Sequence, residues 1–136
     1  MDAEEKRIRH LELIQGIINR MAKNSFLLKG WSVVLVSALF ALGAKDSTSH
    51  YVYLTYLPAI VFWGLDGYFL RQEKLFRNLY DSVRLMELSL VDFSMNTKEI
   101  EKTVDSWSKV VLSRTLISFH GIVLLAIIIV MILQFI

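Results

Sequence analysis

YVYLTYLPAIVFWGLDGYFLRQEKLFRNLYDSVRL, residues 51–85, is the stretch whose reading decides the fold. Residues 51–70 carry a single charge, Asp66, whereas from Arg71 onward charges recur every few positions. Apolar residues nevertheless continue at Leu75, Leu79, Val83, Met86 and Leu90, the spacing of one face of a helix. No Gly or Pro interrupts the charged part. The segment therefore reads as a helix that crosses an apolar layer and then runs on into water. Pro58 lacks a backbone donor and is expected to bend this helix near residues 54–58.

Two further apolar runs flank it, at 26–44 and 115–136. The three runs are about 19, 20 and 22 residues long, close to the ~20 needed to cross a ~30 Å hydrocarbon core. With 54% apolar residues in a chain of 136, the composition is that of an all-α membrane protein built as one unit. Of fifteen Lys and Arg residues, only Lys45 lies in the short link at 45–50. The positive-inside rule then places the N-terminus and residues 71–114 in the cytoplasm, and the link and the C-terminus outside. Tyr51, Tyr53 and Tyr56 suit an aromatic belt at the outer interface. Lys29, just inside the first run, must snorkel to the inner face.

The inner segments hold their own pattern. Residues 1–25 place Ile8, Leu11, Ile14, Ile18 and Met21 on one side of an amphipathic cytoplasmic helix, with acids and bases mixed on the other. A membrane-surface helix is usually rich in Lys and Arg, so this stripe is expected to dock on protein. Asn24-Ser25 offers a break before the first span. Asn96-x-x-Glu99 has the form of a capping box, followed by a seam at Ile100, Val104, Trp107 and Val111 that leads into the third span. Helices two and three are thus expected to extend as a cytoplasmic hairpin over 71–114, turning at Ser94-Met95-Asn96, each about 40 residues or ~60 Å long.

Chemistry is mostly excluded. There is no Cys, no Gly-rich phosphate loop, and His10, His50 and His120 are scattered, so no catalytic, cofactor or metal residues are assigned. Without a convergent pocket of reactive groups the chain is not read as an enzyme. A net charge of +2, with acids nearly balancing bases, argues against nucleic acid as a partner. The polar groups inside the apolar runs are the candidate site. Counted outward from a turn at residue 95, Asp66 and His120 lie within about one helical turn of each other in depth, and Lys29 and Ser32 share that level. Carboxylates there face a partner or a wet cavity, because lipid exposure costs several kcal/mol. Asp66 is expected either to pair with Lys29, His120 or a neighbouring subunit, or to line an aqueous pathway.

Ser37 and Ala41, and Gly64 and Gly67, are spaced for close helix packing. Together with Leu75, Leu79, Val83 and Trp107 they are the expected contacts of a homo-oligomer, since a two-helix stalk buries little core alone.

The order Arg20, Asn24-Ser25-Phe26, then Phe62-Trp63, then Arg71, Lys74, Phe76 and Leu79-Tyr80 resembles that of small bacterial inner-membrane proteins of the RipA-like kind and of compact anti-phage membrane effectors. The resemblance covers about residues 14–84. It implies a homo-oligomer in the bacterial inner membrane, surrounded by lipid, with no assigned chemistry. The function expected from residues and resemblance together is a non-enzymatic assembly that forms or gates a pore as a defence effector. The alternative is an adaptor whose cytoplasmic stalk recruits a protein partner.

Overall fold

The computed structural model describes residues 1–45 and 50–136. The link expected at 45–50 falls largely on 46–49, outside the described residues. Among the described residues there are four α-helices: α1 (Ala3–Lys45), α2 (His50–Leu85), α3 (Trp107–Val111) and α4 (Arg114–Phe135). No strand occurs among the described residues.

Helix α1 opens on Asp2, whose carboxylate accepts the Glu5 backbone N–H at 2.7 Å, with Glu4 and Glu5 in the first turn where the helix dipole favours acids. It then runs unbroken for 43 residues. The break expected at Asn24-Ser25 does not form. Two polar residues cost a helix interior only tenths of a kcal/mol each, while a break would strand backbone groups beside an apolar neighbour. Ser25 is buried and spends its hydroxyl on another helix.

Helices α1 and α2 lie antiparallel along most of their length, as the pairs Gly43–Tyr51 and Lys29–Asp66 show. Helix α4 runs antiparallel to α2, with His120 at Asp66 and Tyr56 at Met131. One apolar cluster joins the three around Val36, Val52, Ala59, Val123 and Ile127. A second joins the N-terminal half of α1 to the far half of α2 through Ile14, Ile18, Leu79 and Val83, with Met95 and Ile100 against it. The amphipathic stripe therefore docks on protein, although Ile8 stays half exposed and His10 is buried in its place.

Helix α2 continues past residue 70 as its seam required, but only to Leu85. The returning limb of the hairpin is not helical. Residues 86–106 form a strap with short 3-10 turns at Leu88–Leu90 and Glu101–Thr103. The cause is local. The side chains of Asp92, Ser94 and Asn96 each accept the backbone N–H two residues on, which competes with helical bonds. Phe93 stands at φ 59°, in the left-handed region. Asn96 thus closes a turn rather than a capping box. Helix α3 is a short piece of the expected seam, and Ser113 starts α4 anew.

Among the described residues two helices, α1 and α4, are long and apolar enough to cross a membrane. The apolar part of α2 is diluted by its tyrosines, Pro58 and Asp66.

Candidate functional site

Where the apolar cluster of the three helices ends, Asp66 sits fully buried on α2. Its Oδ2 accepts Lys29 Nζ from α1 at 2.6 Å and His120 Nε2 from α4 at 2.7 Å. Its Oδ1 accepts the Ser25 hydroxyl, and Lys29 Nζ also donates to Ser25 Oγ at 2.8 Å. A carboxylate withdrawn from water must have its lone pairs met by donors, best by charged ones. Here three side chains from two other helices meet them. Ser25, Lys29 and Ser32 follow at i, i+4 and i+7, so one face of α1 presents all three.

The cluster is walled by rings. Trp63 stacks on His120 with centroids 5.8 Å apart and planes 7° from parallel. Trp63 Nε1 donates to the Val111 carbonyl at 2.9 Å, and Trp107 Nε1 donates to the Gly64 carbonyl at 3.0 Å. These reciprocal bonds latch α3 across the turn of α2 that carries Asp66. The two glycines make the latch possible: a Cβ on Gly67 would overlap Val111 Cγ2, and one on Gly64 would come 3.4 Å from the Trp107 ring.

Of the residues expected at this level, Asp66, Lys29 and His120 converge. Ser32 is buried nearby on the same face of α1, but among the described residues its hydroxyl has no partner, nor has His120 Nδ1. Ser25 reads in the sequence only as a break, although its spacing to Lys29 could have placed it in the cluster. Trp63 carries no signal beyond its place in the apolar run.

The expected oligomer contacts divide differently. Gly64, Gly67, Leu75, Leu79 and Val83 are occupied within the chain: the glycines by α3, the others by the cores around α2. The seam expected to await a neighbouring subunit is covered by α1 and the strap. Ser37 and Ala41 are exposed, and Trp107 is 50% exposed.

Both oxygens of Asp66 are engaged. The arrangement can fix three helices in one register. Among the described residues no group of His, Asp and Glu has metal-binding geometry. No family model, no curated protein and no solved structure matches this chain.

Proposed function

We propose that the chain is a three-span protein of the bacterial inner membrane, N-terminus inside and C-terminus outside, acting without catalysis as a homo-oligomer that forms or gates a pathway. The observation that carries the membrane reading is an inverted polarity. Asp66, His120 and Ser32 are buried, while Ile122 (68% exposed), Leu125 (56%) and Leu133 (66%) of α4 and Val34 (55%) of α1 face outward. Water would demand the reverse, and lipid tolerates this. In that setting the Asp66 cluster lies near the inner interface and locks the three spans of each protomer. A pathway would then run between protomers rather than past Asp66, whose oxygens are taken. The exposed small residues Ser37 and Ala41 support close approach of a second copy.

Ion flux from vesicles reconstituted with the purified chain tests the pathway, with native mass spectrometry giving the copy number. A discrete oligomer that releases ions supports it. A silent monomer rejects it.

One observation favours the adaptor reading instead. A groove of about 510 Å³ runs along the outer face of the cytoplasmic half, between Ile8, Leu11, Gly16 and Tyr80. A silent vesicle assay together with a cytoplasmic protein that co-purifies and is lost on Gly16→Trp selects that reading.

A further inference from the structure

Between the strap and α4 the chain makes a detour in depth. Asp66 and His120 are bonded, and Arg71 follows the one on α2 as Arg114 precedes the other on α4. At the rise of an α-helix both arginines stand about 7–9 Å to the cytoplasmic side of that bond. Asp105 of the strap shares their level, because its carbonyl accepts Arg71 Nε at 3.1 Å. The segment that joins Asp105 to Arg114 does not stay there. Trp107 donates to the Gly64 carbonyl and Val111 packs against Gly67, both further into the apolar part of α2. Helix α3 thus dips about 6–10 Å below the arginines, and its two ends are held by the indole bonds of Trp107 and Trp63.

The dipping segment is mixed in character. Val110 is its buried side, while Trp107 (50% exposed), Leu112 (64%), Lys109 and Arg114 face outward. No Asp or Glu occurs from Ser106 to Ile136. Lys29, Arg77 and Arg84 are each met by a carboxylate, but among the described residues neither Lys109 nor Arg114 forms an ion pair. Asp105 is exposed beside Arg71, and Glu73 of α2 is taken by Arg77. Exposed tryptophan and leucine suit water poorly, and exposed cations suit hydrocarbon poorly. The combination suits the boundary between headgroups and acyl chains.

We propose that α3 and the first turn of α4 bind an anionic phospholipid of the inner leaflet. This rests on the membrane reading above and names the lipid chemistry that the inner face selects. The lipid phosphate accepts from Arg114 and from Lys109, whose stem reaches up out of the dip. The acyl chains lie on Trp107 and Leu112. A zwitterionic headgroup also carries an ammonium, for which residues 106–136 offer no carboxylate, so the anionic lipid is preferred.

The test is fluorescence quenching by brominated lipids, with the full chain in vesicles of mixed phosphatidylcholine and phosphatidylglycerol. Bromine is placed on one lipid at a time. The signal is the emission that wild type has and Trp107→Phe lacks. Phosphatidylglycerol is expected to associate about fivefold or more tightly than phosphatidylcholine at this site. Lys109→Gln with Arg114→Gln should abolish that preference while quenching by brominated phosphatidylcholine persists. Lys6→Gln with Lys98→Gln, which removes the same charge from exposed positions elsewhere, should keep it. Equal quenching by the two lipids in wild type overturns the proposal and leaves the membrane reading standing. A preference that survives in the Lys109/Arg114 variant, or is lost equally in the Lys6/Lys98 variant, also overturns it, because attraction is then general rather than local. No quenching by either lipid overturns the membrane reading and this proposal together.

Discussion

The two halves of the molecule solve the same packing problem with different materials. Around Asp66, three helices meet over a carboxylate that takes donors from α1 and α4 at once. At the other end, α1 is held by Ile14 and Ile18 against Leu79 and Val83, with the strap closed by side chains bonding to nearby backbone. Apolar contacts are tolerant of sliding by a fraction of a turn, whereas a buried charge accepts only a register that returns its donors. The first half is therefore specified by a few atoms and the second by many. Each should fail in its own way.

The largest expected effect is at the charge. Asp66→Asn leaves Lys29 beside a neutral amide, and breaking a buried pair from one side costs about 3–5 kcal/mol. Thermal unfolding in detergent should register that loss. Asp66→Leu combined with Lys29→Met removes the ion pair and should recover part of it, since an apolar pair of similar volume is often neutral, while the Ser25 and His120 donors still lack their acceptor. If the double variant is no better than the single one, the cluster is not held by this pair.

Next comes the apolar half. Leu79→Ala empties a buried site and is expected to cost about 2–5 kcal/mol. The loss should appear first as faster hydrogen exchange at the N-terminus of α1, with the helices near Asp66 still protected. Uniform loss of protection along α1 would mean that the two halves unfold as one.

Gly67→Ala should cost about 1–3 kcal/mol by pushing its methyl against Val111. Val111→Ala in the same chain should give part of this back, which sharpens the case that α3 latches onto the Asp66 turn. Smallest of the series is Trp107→Phe, which deletes one hydrogen bond to Gly64 and should cost about 1 kcal/mol. A tryptophan fluorescence shift would accompany it.

Much of this was legible in the residues. Apolar runs and their spacing fix all-helical structure because helical periodicity is a property of the chain itself, and α1, α2 and α4 follow it. Depth was legible too: Asp66, Lys29 and His120 lie at one level because each residue advances a helix by a constant rise. The strap was not. Its residues fit a helical seam, yet Asp92, Ser94 and Asn96 supply local bonds that compete with the helix, and the packing of Met95 and Ile100 on α1 and α2 sides with the turns.

Which small residues serve this chain was equally beyond the sequence, since Gly64 and Gly67 look the same whether a neighbouring protomer or α3 fills the space beside them. Ser25 reads as a helix stop until a carboxylate from α2 is seen at its hydroxyl. The sequence by itself determined that the apolar runs are helices and that Asp66, Lys29 and His120 share one level along them. Only the tertiary structure decided which groups meet, because a donor and an acceptor far apart in the chain are brought together by the register between helices, and that register is set by all their contacts at once.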